Sequence, residues 1–122
     1  MDTRWKPNVT VAAVIVHNDR FLLVEEETPN GVRLNNPAGH LDCGESPEQA
    51  CRRETLEETA YHFDPDCILD TGIVRTLWMS ANEIRASAAR HRSPLVVQCL
   101  EDFLSGRRYP TDLIHTDAGV FI

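Results

Sequence analysis

The segment that begins at Ser46 constrains the fold of this chain most strongly, because it carries a complete set of helix-start signals. Ser46 can cap a helix, Pro47 suits the first helical position, and Gln49 completes a Ser-x-x-Gln capping box. No glycine or proline interrupts residues 48–61. The sequence therefore predicts a helix from Pro47 to about Thr59.

Patterns typical of strands precede this helix. Residues 9–16 are β-branched and almost continuously apolar, which predicts a strand buried on both faces. Turn-forming residues at 17–20 and a second apolar run at 21–24 then predict a β-hairpin. Another turn at 28–31 is followed by a short segment at 32–35.

Two further helices are predicted toward the end of the chain. A second capping box, at residues 80–83, opens a helix that runs to about residue 90. A Ser-Pro pair at 93–94 opens a third helix, and Gly106 ends it. The apolar stripe of this third helix consists of Leu95, Cys99, Leu100, Phe103 and Leu104.

Length and composition indicate one ordinary folded domain. The chain has 122 residues, of which 42% are apolar, so it can build a single hydrophobic core. A strand-like segment at 73–79 adds to the strands and helices above. Together these elements predict a single α/β (α+β) domain over residues 1–122.

Charge and the distribution of apolar residues exclude several kinds of partner. The net charge is −7, opposite to that of a general nucleic-acid binder. No apolar run approaches the length of a membrane-spanning helix, and the first residues resemble no secretory signal. We therefore expect a cytoplasmic protein with no membrane and no nucleic-acid partner. The four cysteines show neither zinc-binding nor CxxC spacing.

Three carboxylates share one face of the predicted helix. At about 100° per residue, Glu58 lies about 40° to one side of Glu54 and Glu57 about 60° to the other. Like charges at this spacing destabilise a helix by roughly 0.2–0.5 kcal/mol per pair, a cost that a divalent cation among them removes. These residues alone leave two interpretations open, a Mg²⁺ site and a solvated acidic face.

A wider pattern surrounds the three glutamates. Gly39 is followed after five residues by Glu45, and Glu45 after seven residues by Arg53, which directly precedes Glu54. This stretch resembles the Nudix box, G-x5-E-x7-R-E-U-x-E-E-x-G-U with U apolar, and every charged position of that pattern is filled. Other segments, such as Asn-Pro-Ala-Gly-His-Leu at 36–41, are similar to one group of bacterial phosphatases in the family.

The resemblance implies a fold, an activity and a cofactor. It implies a Nudix-type mixed β-sheet sandwiched between helices, and hydrolysis of phosphoanhydride bonds with Mg²⁺, or with Mn²⁺ in its place. The substrate would be a small molecule, either a nucleoside di- or triphosphate or a thiamine-type pyrophosphate. The implied metal ligands are the carbonyl of Gly39 and the carboxylates of Glu54, Glu57 and Glu58, with Glu45 supporting them or reaching metal through water.

The resemblance also implies catalytic roles at Glu54, Arg53 and Glu57. Glu54 would orient or deprotonate the attacking water, and Arg53 would position a carboxylate by a charge-assisted hydrogen bond. Outside the box, Arg33 and His40 are candidates for substrate contact. Surface charge is the alternative for Arg33, and a simple loop role is the alternative for His40.

The chain departs from the family pattern in two ways. Thr55 and Tyr61 stand at apolar positions, and Ala60 replaces a glycine, at a cost of about 1 kcal/mol if that glycine forms a left-handed C-cap. The spacing between the box and the segment at 73–79 is also too short for a further hairpin. We therefore expect a central segment to be missing between about residues 63 and 69, by deletion or by omission from the sequence.

Two functions remain open at this stage. The complete carboxylate set favours a hydrolase, whereas the shortened middle favours a catalytically weak Nudix-fold module that binds a nucleotide or a partner. A missing hairpin leaves an open sheet edge, so we expect either a monomer or a homodimer.

Overall fold

A computed structural model describes residues 3–59 and 72–116 and confirms an α+β fold. Two short 3₁₀ turns lie at Ala88–Arg90 and Thr111–Leu113. No helix in the described ranges is long and apolar enough to cross a membrane. In chain order the elements are β1 (Thr10–Ala12), β2 (Val16–His17), β3 (Arg20–Thr28), β4 (Gly31–Asn35), β5 (Ala38–His40), α1 (Pro47–Thr59), β6 (Ile73–Ser80), α2 (Ala81–Ala86) and α3 (Leu95–Leu104).

Strand β3 lies at the centre of a four-stranded antiparallel sheet. β6 pairs with it along one edge, while β2 and β4 pair with opposite ends of the other edge. β1 and β5 form a separate antiparallel ladder. Asn18 and Asp19 connect β2 to β3 with φ of 50° and 61°, the left-handed conformation that a two-residue hairpin turn requires. The predicted hairpin is therefore confirmed.

The apolar run at 9–16 forms no single buried strand, so that prediction is wrong. The run divides into β1 and β2, and Val9 and Val16 are 51% and 43% exposed. It changes partners within a few residues, because β1 pairs with β5 whereas β2 pairs with β3. The strand buried on both faces is β3, which is longer than the predicted 21–24 and is buried from residue 21 to residue 26.

The hydrophobic core lies between β3 and the two later helices. Phe21 and Leu23 of β3 form one cluster with Ile84 of α2 and with Val96 and Leu100 of α3. Because alternate residues of a strand face opposite sides, Phe21 and Leu23 define the helix-covered face of the sheet.

Helix α3 turns part of the predicted stripe to the core. Leu100 is buried and Phe103 packs against the core cluster as predicted, whereas Leu95 and Leu104 are 67% and 47% exposed. Val96, which lay outside the predicted stripe, is buried, and Val96, Leu100 and Phe103 follow the i, i+4, i+7 spacing of one helix face. The prediction of a helix is confirmed, and that of its apolar stripe is confirmed only in part.

Helix α2 begins at its predicted capping box and ends earlier than predicted. The Ser80 hydroxyl oxygen accepts from the Glu83 N–H at 3.2 Å. The helix ends at Ala86, because the Ser87 N–H closes the last turn on the carbonyl oxygens of Glu83 and Ile84. The remaining residues up to 90 form a 3₁₀ turn.

Two carboxylates are buried within β3, and one of them affects the dependence of stability on pH. Glu25 accepts hydrogen bonds from Arg75 at 2.7 and 3.2 Å and from Arg90 at 2.7 Å. These hydrogen bonds lower the pKa of Glu25 from 4.5 to about 2. Because the pKa is depressed in the folded state, the carboxylate stabilises the fold above pH 4.5, and this contribution is lost as pH falls toward 2.

We expect Glu25→Gln to flatten the decline in the free energy of unfolding between pH 4.5 and pH 2. Urea denaturation across this range measures the decline. Glu27→Gln, at an exposed position of the same strand, is the control and should keep the wild-type slope. An undiminished slope in Glu25→Gln would contradict the assignment.

Helix α1 has the predicted bounds, Pro47–Thr59. The Ser46 hydroxyl oxygen accepts from the Gln49 N–H at 3.1 Å, and the Gln49 side-chain oxygen accepts from the Ser46 N–H at 2.8 Å, which confirms the capping box. The helix contacts β1, β5 and β6. The departures at 60–61 and the missing segment predicted at 63–69 lie outside the described residues.

Candidate active site

Helix α1 lies directly against β5 at Gly39. A Cβ atom at position 39 would overlap the carboxyl group of Glu54, so glycine is what allows the strand to approach this side chain. The Glu54 side chain is only 12% exposed as a result. The structure thus brings together two residues that are 15 positions apart in the sequence.

Arg53 is the hydrogen-bonding centre of the site. Its Nε and Nη2 donate to the two carboxylate oxygens of Glu45 at 2.8 and 3.1 Å, and Nη2 also donates to the carbonyl oxygen of His40 at 2.9 Å. Its Nη1 donates to Glu54 Oε1 at 2.6 Å and to Glu57 Oε2 at 3.1 Å. One guanidinium group therefore connects three of the predicted carboxylates to the end of β5.

These contacts favour the charged forms of Glu45 and Arg53. The hydrogen bonds from Arg53 lower the pKa of Glu45, which also accepts from the Asp42 backbone N–H at 3.1 Å. Glu45 and then Glu54 raise the pKa of Arg53. Arg53 thus faces more negative charge than one cation can neutralise, since Glu57 is also in contact with it.

Glu57 and Glu58 differ in their surroundings. Glu58 is buried, and its Oε2 accepts from the Ala38 N–H at 3.2 Å, which ties α1 to the first residue of β5. The Glu57 side chain is 42% exposed and lies at the solvent edge of the site. Glu54 and Glu58 therefore face the strand, while Glu57 faces solvent.

The donor set suits a hard divalent cation, although its present arrangement does not form a metal site. Carboxylate oxygens are the ligands that Mg²⁺ and Mn²⁺ prefer. Within residues 3–59 and 72–116, no group of three His, Cys, Asp or Glu side chains is placed to hold a metal ion. Hydrogen bonds explain this, because Arg53 binds Glu54 and Glu57 while Ala38 holds Glu58. A cation at these carboxylates would compete with Arg53 Nη1.

Arg53→Lys is expected to lower the free energy of unfolding by about 2 kcal/mol, because one ammonium group cannot reproduce the forked contacts of Arg53. Chemical denaturation measures the loss. Arg52→Lys, at the exposed neighbouring position of α1, should change stability by less than about 0.5 kcal/mol. Equal effects of the two substitutions would show that the network does not stabilise the fold.

The two predicted substrate contacts take different places. His40 joins the site through its carbonyl oxygen, and the residue lines a cavity of about 590 Å³ together with Glu45. Arg33 is not brought to the glutamates. Its Nε and Nη2 donate to the Asn30 carbonyl oxygen at 3.3 and 3.1 Å, and its Nη1 donates to the Ala89 carbonyl oxygen at 2.8 Å.

Sequence reasoning missed two residues beside the glutamates. A cavity of about 230 Å³ is lined by Ala38, whose N–H binds Glu58, and also by Asn35 and Arg92. The Arg-Ser-Pro segment at 92–94 was a visible signal, but no local pattern shows that its arginine reaches β4. This cavity adjoins Glu58 through Ala38.

The site thus consists of carboxylate oxygens packed on a strand, with cavities beside them. A sequence model described as "NUDIX domain" matches residues 6–94. The chain therefore belongs to the Nudix family, and it is a Nudix hydrolase.

Among particular proteins, the chain is similar to Phosphatase NudJ of Escherichia coli (strain K12) and of Shigella flexneri. Each is 34% identical over 142 aligned residues, with coverage of 90% of this chain and 92% of the relative. A solved Nudix hydrolase from Nitrosomonas europaea is 47% identical, has a TM-score of 0.86, and covers 94% of this chain and 100% of its own.

A more distant structure shares the fold. It is a bifunctional NMN adenylyltransferase/ADP-ribose pyrophosphatase from Francisella tularensis, solved with AMP and a Mn ion. It is 22% identical, with a TM-score of 0.68, and the match covers 83% of this chain and 42% of that one.

Proposed function

We propose that this chain hydrolyses phosphoanhydride bonds in nucleoside di- or triphosphates or in thiamine-type pyrophosphates, with Mg²⁺ as cofactor and Mn²⁺ as an alternative ion. The observation that carries the proposal is the packing of the carboxylate face of α1 on β5, with Glu54 on Gly39 and Glu58 on Ala38. A merely solvated acidic face would not bury carboxylates against a glycine. The similarity to Phosphatase NudJ and the AMP and Mn ion in the Francisella structure support the substrate and ion classes.

Each side chain of the site has a proposed role. A divalent cation bound by Glu54, Glu57, Glu58 and the Gly39 carbonyl, with Glu45 behind them, would neutralise phosphate charge and activate a water molecule. Glu54 orients or deprotonates the attacking water. Arg53 is a positioning residue, because it donates hydrogen bonds to the carboxylates of Glu45, Glu54 and Glu57 and to the carbonyl oxygen at the end of β5. His40 and Arg33 are proposed to contact the phosphate-bearing substrate.

A second candidate function is a catalytically weak module that binds a nucleotide or a partner. The alignment with Phosphatase NudJ spans 142 positions, whereas this chain has 122 residues, so the relatives contain residues with no counterpart here. This difference supports the prediction of a missing central segment. If the lost residues contact substrate, binding can survive while turnover falls.

Release of phosphate and pyrophosphate from a panel of nucleoside di- and triphosphates and thiamine pyrophosphate separates the two functions. The proposed hydrolase releases one of these products when Mg²⁺ is present and none in excess chelator. The product released identifies the anhydride bond that is cut. Folded protein that is inactive across the panel would support the binding module.

Mg²⁺ is expected to raise the melting temperature. A ligand that binds only the folded state at 10 times its Kd stabilises by about 1.4 kcal/mol, or about 5 °C for a domain of this size. Thermal unfolding monitored by circular dichroism with and without Mg²⁺ measures the shift, with Na⁺ at equal ionic strength as control. An acidic face that binds no metal would give no shift beyond that control.

A further inference from the structure

A polar shelf of four side chains, Glu26, Arg33, Asn35 and Arg92, lies along β3 and β4. Arg33 is the cross-strand partner of Glu26, and Asn35 is two residues further along β4, so the three share one face of the sheet. Glu26 Oε1 accepts from the Asn35 Nδ2 at 3.1 Å and from the Arg92 Nη1 at 2.8 Å. This face is opposite to the one that Phe21 and Leu23 turn toward α2 and α3.

The chain segment after α2 closes the outer edge of the shelf. The Arg92 backbone N–H donates to the Leu34 carbonyl oxygen at 2.8 Å, and Arg33 Nη1 donates to the Ala89 carbonyl oxygen at 2.8 Å. A parallel bridge joins Leu34 to His91. Arg92 is therefore fixed beside β4 by its backbone as well as by Glu26.

The shelf carries more positive than negative charge. The Arg92 guanidinium is paired with Glu26, which is buried. Arg33 has no acidic partner in the described part of the chain, since its donors go to the backbone carbonyls of Asn30 and Ala89. A net positive shelf in a protein of net charge −7 is a place where an anion is favoured.

Arg92 lines two cavities beside the shelf. The smaller, about 230 Å³, is also lined by Asn35 and by Ala38, which binds Glu58. The larger, about 590 Å³, is lined by Thr28, Pro29, Asn30, Arg33, His91 and Arg92. Ala38 follows Arg33 by five positions, so the two residues are at most about 18 Å apart. A nucleotide with phosphate at each end has comparable length, so one ligand can reach both the glutamates and the shelf.

We propose that Arg33 and Arg92 bind a second phosphate group of the substrate, separate from the anhydride bond that is cut at the glutamates. Planar guanidinium groups suit phosphate because their paired N–H donors match its oxygens. Glu26 is a positioning residue for Arg92 and Asn35. The second phosphate is either the terminal group of a triphosphate or a phosphate on the far side of the nucleoside. This inference rests on the proposed function in one respect, namely that the anhydride bond is cut at the glutamates.

Steady-state kinetics with ADP, ATP and 3′-phosphorylated ADP test the proposal and identify the source of the phosphate. At least one of the two more highly phosphorylated compounds should have a KM about tenfold below that of ADP. Arg33→Ala should remove this advantage, because it should raise the KM of the favoured compound about tenfold and raise the KM of ADP by less. An advantage for ATP assigns a terminal phosphate, and an advantage for the 3′-phosphate assigns the far side of the nucleoside.

The controls separate a phosphate contact from a structural role. Arg107→Ala removes an equal charge from an exposed side chain beyond α3 and should keep the wild-type KM ratio. Arg92→Lys keeps a cation beside Glu26, so the variant should remain folded. It should lose part of the difference in KM between ADP and the favoured compound. Equal KM values for the three compounds in the wild type, or equal losses for all three in Arg33→Ala, would overturn the proposal.

Failure of the proposed function gives a different result. If none of the three compounds is hydrolysed, their Kd values are compared by titration calorimetry in Mg²⁺. If the shelf binds the second phosphate, the favoured compound should have a Kd about tenfold below that of ADP, a difference of about 1.4 kcal/mol. Arg33→Ala should remove this difference. Identical Kd values would overturn the inference independently of catalysis.

Discussion

Glu57→Gln is expected to lower kcat by about a thousandfold while the melting temperature stays within about 3 °C of the wild type. Glu57 is the most exposed of the three clustered glutamates, so it gives little to the core and is open to a cation and a phosphate. The amide keeps the shape of the side chain and can still accept from Arg53. It loses the negative charge that favours binding of a divalent cation. Initial-rate assays with Mg²⁺ on the best substrate of the panel measure the effect.

Glu48→Gln is the matched control for this substitution. Glu48 stands in the first turn of α1, about 180° around the helix from Glu57, and has the same side chain. It should keep kcat within about twofold of the wild type. If Glu57→Gln retains full Mg²⁺-dependent activity, the roles assigned to the carboxylate face are wrong.

Gly39→Ala is expected to reduce both stability and activity, by about 3 kcal/mol and about a hundredfold. The added methyl group would overlap the carboxyl group of Glu54, which has little room to move because Arg53 also holds it. Either β5 or α1 must therefore shift, and this shift displaces the carboxylates of α1 relative to β5. Urea denaturation and initial rates measure the two losses.

Combining Gly39→Ala with Glu54→Asp tests the cause. The shorter aspartate withdraws its carboxyl group from position 39, so the double variant should regain part of the lost free energy of unfolding. Activity should stay low, because the carboxylate of the shorter side chain no longer reaches the position of the Glu54 carboxylate. A double variant whose losses are simply the sum of the two single losses would show that the contact is not the cause.

Features encoded by local sequence were predicted well. The bounds of α1 follow from a capping box and an uninterrupted helical stretch, both readable within a few residues of the chain. The hairpin at Asn18 and Asp19 is equally local. The carboxylate face was also predicted, since helical spacing fixes which side chains are neighbours, whereas the role of Arg53 was expected only from the resemblance to the Nudix box.

Features set by distant partners were predicted poorly. The run at 9–16 was expected to be buried, but the identity of the strands that pair with it decides its exposure. The phase of α3 depends on where Phe21 lies in the sheet, which the helix sequence does not reveal. The contact between Glu26 and Arg92 joins residues 66 positions apart, so neither was recognised as part of one surface. Arg33 was recognised, but as a residue of the main site.

The dependence of product release on Mg²⁺ concentration tests whether the carboxylate face of α1 binds the catalytic cation. Phosphate or pyrophosphate release by the wild type and by Glu57→Gln is measured across a Mg²⁺ titration, on the substrate that the panel selects. We expect release by the wild type to saturate with Mg²⁺, with a half-saturation value close to the one obtained from the shift in melting temperature, and we expect almost no release by the variant. Release at the full rate in excess chelator, or an unchanged titration curve for Glu57→Gln, would contradict this role of the carboxylates.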